Sequence, residues 1–342
     1  MRRVLVTGGC GFIGSNFIHL LLAEEPDSAV INLDLLTYAG NPRNLEEIAD
    51  SPRYRFVHGD IRDPVQAEEL VGDADWIVNF AAETHVDRST KESAGDFIRT
   101  NVFGTYVLLD AVRGTNSRAR FLQVGTDEVY GDIPLGVYAD ESALPRPTSP
   151  YAASKAGGDE QALSFYRTFG TDVMVSRCTN NYGPYQYPEK LLPLFITNAM
   201  QDEPLPLYDG GTQIRDWLWV DDHCRALLLL LREGQAGEIY NVGANQEPEI
   251  TNGELTRILL RLLGKPESLI HPVDGLRPGH DQRYAVDTSK VRALGWAPSV
   301  ELEEGMERTV AWYQARRDWW EPIKSGEYRD YYRRHYRFEA KG

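Results

Sequence analysis

Residues 4–22 read VLVTGGCGFIGSNFIHLLL, and the order of their parts decides the fold. Val4, Leu5 and Val6 form an apolar run of strand length, Gly9, Gly11 and Gly14 follow at the G-x-G-x-x-G spacing, and Phe17 to Leu22 continue as a helix. Glycine suits that turn because the backbone must come close to a pyrophosphate seated on the helix N-terminus. Asp34 closes the next apolar run 20 residues beyond Gly14, the distance at which a carboxylate accepts both hydroxyls of an adenosine ribose. A carboxylate there repels a 2′-phosphate, and Leu35, Leu36 and Thr37 bring no cation to hold one. The expected cofactor is therefore NAD rather than NADP.

Outward from this unit, strand-length apolar runs recur at 4–7, 30–34, 55–57, 76–81, 121–125 and 173–177, with helical stretches between them. The alternation predicts an α/β protein, a Rossmann-type doubly wound parallel sheet with helices on both faces. GDIRD (59–63) and FAAET (80–84) follow the third and fourth strands, at the carboxyl edge where a dinucleotide lies. The candidate cofactor contacts are Gly8, Gly9, Gly11, Phe12, Ile13, Gly14, Asp34, Thr37, Asp60, Ile61, Phe80, Ala81, Ala82, Thr100, Tyr151, Lys155 and Asn181.

Beyond about residue 180 the alternation lapses and prolines thicken, which predicts a smaller, discontinuous α/β substrate-binding lobe. Residues 1–180 with about 215–245 are assigned to the NAD-binding domain, and about 181–214 with 246–342 to the lobe. VDDHCRALLLLLREG (220–234) reads as a helix closed by Gly234, and YNVG (240–243) as a strand returning to the main sheet. TNGE (251–254) fits a capping box for a helix ending near Gly264. The tail from Arg316, rich in Trp, Tyr and Arg, reads as an amphipathic segment packed on the body.

The chain has 342 residues and a formal net charge of −15. Such a surface repels phosphate, which argues against nucleic acid and anionic membrane as partners and requires local Arg or Lys for any anionic ligand. Cys10, Cys178 and Cys224 are odd in number and widely spaced, as suits reduced thiols in the cytoplasm, and none pairs by spacing with His into a metal site. The start MRRVLVTGG enters a strand directly, so no leader is expected, and the longest apolar run, 226–231, is too short to cross a bilayer.

TSPYAASKAGGDEQALSFY (148–166) offers Ser149 as an N-cap, Pro150 at the first helical position, and Tyr151 four residues before Lys155. An i, i+4 pair shares one helix face, so the ammonium is expected to favour phenolate and lower the pKa of Tyr151 from its reference near 10. GTDEVYG (125–131) sets Thr126, Asp127 and Glu128 at the end of the fifth strand. Taken alone, that triplet reads as a polar turn.

TGGCGFIGS (7–15), YAASK (151–155) and the threonine after the fifth strand resemble the extended short-chain dehydrogenase/reductase superfamily. NLDLLTYAGNPRNL (32–45), FAAETHVDRS (80–89), GTDEVYG, NNYGPYQYPEKLLP (180–193) and RDWLWVDDH (215–223) are similar to the dTDP-glucose 4,6-dehydratases, a likeness running from residue 3 to about 300. Relatives that only epimerise carry small hydroxyl residues in place of Asp127 and Glu128, whereas loss of water needs one group to take a proton and another to give one. Like charges so close cannot both ionise cheaply, so one of the pair is expected to keep its proton near neutral pH.

The resemblance implies that Tyr151, aided by Lys155 and Thr126, removes the proton of the sugar 4-hydroxyl while hydride passes to NAD. It further implies that Glu128 takes the C5 proton, Asp127 protonates the departing 6-hydroxyl, and the hydride returns to C6, so that NAD stays bound from turn to turn. For the nucleotide sugar, dTDP-glucose, it implies contacts from Thr84, Asn180, Lys190, Leu191, Pro206, Tyr208, Arg215, Asn252, Arg277 and His280. Lys190, Arg215 and Arg277 would meet phosphate, and Pro206 and Tyr208 the base; Leu276 departs from the Asp more usual before Arg277. His85 and His223 are read as structural. Relatives dimerise through two helices per subunit, which implies a homodimer built on stretches near 97–112 and 151–165. A nucleotide-sugar 4-epimerase or decarboxylase on the same fold, and a non-catalytic NAD-binding regulator, are the competing readings.

Overall fold

The computed structural model describes residues 1–84, 86–91, 93–115, 117–273 and 281–325; His85, Arg277, His280 and the tail beyond 325 lie outside them. In chain order β1 (Arg2–Thr7), β2 (Ser28–Asp34), β3 (Tyr54–His58), β4 (Trp76–Asn79), β5 (Arg120–Thr126) and β6 (Val173–Cys178) lie side by side as β3-β2-β1-β4-β5-β6. Four short strands follow, β7 (Asn180–Tyr182), β8 (Leu205–Tyr208), β9 (Ile214–Arg215) and β10 (Trp217–Trp219), before β11 (Ile239–Val242) returns to the sheet on β6. All six pairings of this seven-stranded sheet are parallel. The order reverses between β1 and β4, the switch point where α/β sheets hold ligands at their carboxyl edge. The expected fourth strand, 76–81, stops at Asn79, because the Phe80 amide turns to the Thr7 carbonyl and the Ala81 amide to the Thr7 hydroxyl.

Each face of the sheet is sealed by its own helices. Phe12–Glu24 and Val220–Glu233 bury Phe17, Ile18, Leu21, Leu227 and Leu231 against Val4, Val6 and Val78. Pro64–Val71, Thr105–Gly114 and Pro150–Phe169 bury Leu70, Leu108, Leu109 and Leu163 against Leu5, Ile77 and Phe121. The long helix Pro150–Phe169 starts because the Ser149 hydroxyl accepts the Ala152 amide and Pro150 needs no amide partner; it stops at Gly170, whose φ of 71° few other residues adopt at low cost.

A separate buried cluster gathers Tyr182, Trp217, Trp219, Leu255, Leu259, Tyr313, Trp319 and Trp320. It is built by the helices Leu191–Met200, Asn252–Leu263, Leu302–Ala315 and Arg317–Ser325, with β8 paired to β13 (Ile270–Val273) and β12 (Ile250–Thr251) to β9. Helix Asn252–Leu263 carries the anticipated Thr251/Glu254 capping box and closes on Gly264. As far as Ser325 the tail packs inward through Trp319 and Trp320. No helix among the described residues is long and apolar enough to cross a membrane.

Candidate active site

The glycine-rich turn forms one wall of a cavity of about 320 Å³ along the carboxyl edge of the sheet. Gly8 has φ +69°, and a Cβ there would lie 2.7 Å from the Ala81 nitrogen, so only glycine lets the two segments meet. Helix Phe12–Glu24 opens without a side-chain cap at Gly11, leaving its first turn facing the cavity. Gly9 is off the wall: its amide donates to Asn32 Oδ1 at 3.0 Å, and a Cβ would come within 2.3 Å of that oxygen. Its glycine serves packing between turn and β2.

Asp34 ends β2 on the cavity wall, with Oδ2 accepting the Cys10 amide and Oδ1 the Leu36 amide, both at 2.8 Å. Burial pushes its carboxyl upward, while those two amides and His58 pull the other way. Each oxygen retains a further lone pair for a ribose hydroxyl. Asp60 is gripped by the Arg62 fork, which outweighs burial and holds its carboxyl below the usual range. Phe12, Ile13, Gly14, Thr37, Ile61, Phe80, Ala81, Ala82, Thr100 and Asn181 complete the wall. An uncapped helix start, a glycine cradle and a carboxylate over the ribose position fit a dinucleotide such as NAD. No group of three His, Cys, Asp or Glu side chains among the described residues could hold a metal ion.

A second cavity of about 170 Å³ adjoins the first, and Glu128, Tyr151, Asn180, Asn181, Gln186, Glu189 and Lys190 line both. Leu191, Pro206, Tyr208, Arg215 and Asn252 line the second, and Thr84 the first, where its hydroxyl receives Lys190 Nζ at 3.1 Å. The Asn180 and Asn252 side-chain oxygens and the Trp217 indole nitrogen are buried without a hydrogen-bond partner among the described residues. Arg215 donates to the carbonyls of Ile214, Gln282 and Asp281 and lies 4.2 Å over the Tyr284 ring.

Thr126, Asp127 and Glu128 sit where β5 passes into the 3-10 turn Asp127–Tyr130. The Thr126 hydroxyl accepts the Glu128 amide at 3.3 Å and pairs with Asp127 Oδ1 at 3.2 Å. Asp127 is buried behind this turn, on neither cavity wall, and its Oδ2 has no hydrogen-bond partner among the described residues. Burial first, then the Glu128 charge, raises its carboxyl well above the ordinary range, with Arg215 opposing. The two carboxyls thus differ in setting, with Asp127 buried and shifted toward its protonated form and Glu128 on the wall.

The expectation that the Tyr151 acidity is enhanced is reversed in this geometry. Lys155 Nζ donates to the Val124 carbonyl at 2.6 Å, and burial lowers its affinity for a proton. Burial, then Glu128, Cys178 and Asp127, raise the Tyr151 phenol well above 10, against a lowering hydrogen bond from Thr126. Burial dominates at the phenol, and the Lys155 ammonium turns to the Val124 carbonyl rather than to Tyr151. Cys178 itself, pushed up to about 12 by burial, is a neutral thiol.

His223 is structural: Nδ1 meets Asn181 Oδ1 at 2.9 Å, and Nε2 is buried without a partner among the described residues. Sequence reasoning missed Gln186, Glu189, Trp217 and Tyr284 on the walls. The first two lie inside the NNYGPYQYPEKLLP stretch, which was a usable signal; Tyr284 arrives from a distant segment without one.

Residues 5–309 match the family model described as GDP-mannose 4,6 dehydratase. The dTDP-glucose 4,6-dehydratase of Streptomyces niveus is 51% identical over 328 residues, covering 94% of this chain and 96% of that one. The crystal structure of DesIV, a dTDP-glucose 4,6-dehydratase from Streptomyces venezuelae, with NAD and TYD bound, superposes with a TM-score of 0.90 at 51% identity, covering 94% of this chain and 100% of its own. The dTDP-glucose 4,6-dehydratase of Bacillus anthracis in complex with NAD gives 0.88 at 43% identity, covering 95% and 100%.

Proposed function

The chain belongs to the dTDP-glucose 4,6-dehydratase family of the extended short-chain dehydrogenase/reductase superfamily, and from that premise we propose that it is a NAD-dependent hydro-lyase converting dTDP-glucose to dTDP-4-keto-6-deoxyglucose. The observation that carries this reading is the position of Glu128 and Tyr151 on the wall common to both cavities, with the Asp127 carboxyl buried next to Glu128 in the chain. A sugar ring reaching from the smaller cavity toward the larger meets a phenol and a carboxylate together.

Gly8, Gly11, Gly14 and Asp34 hold the dinucleotide, and Thr37, Asp60, Ile61, Phe80, Ala81, Ala82, Thr100 and Asn181 enclose it. Bound NAD supplies the acceptor for hydride from C4 and returns that hydride to C6. By the resemblance, Tyr151 Oη, once ionised, takes the proton of the 4-hydroxyl, with Thr126 as its hydrogen-bond partner and Lys155 one helical turn away. The ketone formed at C4 acidifies the C5 proton, which Glu128 removes, and a proton is returned to C5 when C6 is reduced, giving the 4-keto-6-deoxy product. Asp127 stands behind the walls, and the resemblance assigns to it the proton with which the 6-hydroxyl leaves as water. Lys190 and Arg215 bind the diphosphate, Pro206 and Tyr208 pack on the base, and Asn180, Asn252, Leu191 and Thr84 position the remainder. Arg277 and His280, outside the described residues, are assigned to the same nucleotide by resemblance alone.

We assign residues 1–180 with about 215–245 to NAD binding and the cluster around Trp217, Leu255 and Tyr313 to the nucleotide-sugar lobe. We also propose a cytoplasmic homodimer. Its support is a run of aromatic contacts, Phe103 on Tyr106 at 6.0 Å, Tyr106 on Phe165 at 6.2 Å and Phe165 on Phe169 at 5.2 Å, with Phe103, Tyr106 and Phe169 exposed, together with three free thiols. Light scattering at a monomer mass would remove the dimer.

The test uses dTDP-glucose deuterated at C4. Label recovered at C6 of a 6-deoxy product is the expected result; label in water, or a product retaining its 6-hydroxyl, rejects dehydration. The second outcome would favour a 4-epimerase or decarboxylase, and NAD binding without turnover a regulator.

A further inference from the structure

The helix Arg317–Ser325 has no part in the chemistry above, yet one of its side chains reaches the glycine-rich turn through a single intermediary. Trp319 Nε1 donates to Asn44 Oδ1 at 2.9 Å, a buried contact between residues 275 apart in the chain. Asn44 Nδ2 in turn donates to the Cys10 carbonyl at 2.9 Å, which also receives the Asn41 amide at 2.9 Å. The Cys10 amide then donates to Asp34 Oδ2 at 2.8 Å. An indole N–H only donates and a carbonyl only accepts, so the Asn44 amide has one orientation and both of its ends are used.

Cys10 lies between Gly9 and Gly11, the most pliant stretch of the turn. Two hydrogen bonds on its carbonyl fix the plane of the Cys10–Gly11 peptide, and one on its amide ties the preceding Gly9–Cys10 peptide to the carboxylate on the cavity wall. A turn of glycines gains most from such fixing because it has most freedom to lose. The outer edge of the same junction is clamped where Arg43 Nη1 donates to the Asp318 carbonyl and Nη2 to the Asp318 carboxylate, both at 2.7 Å.

We propose that Trp319 and Asn44 are positioning residues for cofactor retention: the C-terminal helix straps the dinucleotide-binding turn into its binding geometry through the chain Trp319–Asn44–Cys10–Asp34. This inference rests on the NAD assignment made above. A cofactor that is regenerated in each turnover is best kept bound, and preorganising its cradle slows its release.

The neighbouring tryptophan supplies a matched control. Trp320 is equally buried, but its Nε1 donates to the Tyr313 carbonyl at 2.8 Å, inside the tail. Trp319→Phe and Trp320→Phe each delete one indole donor and keep an aromatic ring. Purified holoenzyme of each form is diluted, and released NAD is followed with time, alongside the melting temperature. Trp319→Phe is expected to release NAD about three- to tenfold faster than wild type, the range of one lost hydrogen bond, while Trp320→Phe releases at the wild-type rate. Equal release from Trp319→Phe and wild type overturns the strap, as does equal acceleration in both variants. Should Trp319→Phe fail to fold, Arg43→Gln severs only the exposed clamp, and acceleration of about two- to threefold is expected; an unchanged rate overturns the inference. A wild-type protein that binds no NAD overturns the cofactor assignment and this inference with it.

Discussion

Arg177 Nε donates to Asp159 Oδ2 at 2.9 Å with both side chains sealed from solvent. The carboxylate fits because Gly125 has no side chain; a Cβ there would lie 2.9 Å from Asp159 Oδ1. Asp159 is one helical turn beyond Lys155 and raises that ammonium's proton affinity against the lowering effect of burial. Arg177 lies 4.9 Å over the Tyr130 ring, so the pair anchors the helix of Tyr151 to the strand beside the reacting carboxylates.

Breaking this pair strands a buried charge. Arg177→Met is expected to cost about 3–5 kcal/mol of unfolding free energy. Asp159→Asn with Arg177→Met is expected to cost less than the sum of the single changes by at least about 1 kcal/mol. Urea unfolding of the four forms measures both, and additivity would show that the pair is not coupled.

The two carboxyls carry different steps, so their amides fail differently. Asp127→Asn and Glu128→Gln are each expected to lower kcat by about 10²–10⁴-fold, the range of one positioned acid or base. Glu128→Gln still oxidises C4, so reduced cofactor accumulates by absorbance while no solvent deuterium enters C5. Wild-type turnover in the double amide variant would end the assignment.

Acid sensitivity has a named source. Burial lowers His223 from 6.5 to about 3. The unfolded chain takes this proton more readily, so the contribution is fully present above about pH 6.5 and is lost as pH falls toward 3. His223→Asn, which keeps a donor for Asn181, is expected to flatten the fall in urea midpoint across that window relative to wild type.

Arg215 is held by three backbone carbonyls and the Tyr284 ring, so its loss is expected to act on binding. Arg215→Met should raise KM for the nucleotide sugar about tenfold or more with a smaller change in kcat, and Arg215→Lys should rescue little because an ammonium lacks the planar fork. A kcat loss without a KM change would count against phosphate binding.

By itself the sequence determined the parallel sheet, the glycine-rich turn between β1 and the first helix, the acidic end of β2, the Ser149–Pro150 start, the Thr251 capping box and the return of β11. Each is set within a few residues, by periodicity or by one side chain meeting its own backbone. The Tyr151 acidity was misjudged because it depends on burial and on what else approaches: Glu128 and Cys178 come from other segments, and the Val124 carbonyl takes the Lys155 ammonium. Only the tertiary structure decided that Asp127 is the buried member of its pair, that Gly9 faces β2, that Tyr284 backs Arg215, and that Trp319 reaches Cys10. Desolvation and long-range hydrogen bonds belong to the neighbours that packing assembles, and no local pattern in the chain encodes who those neighbours are.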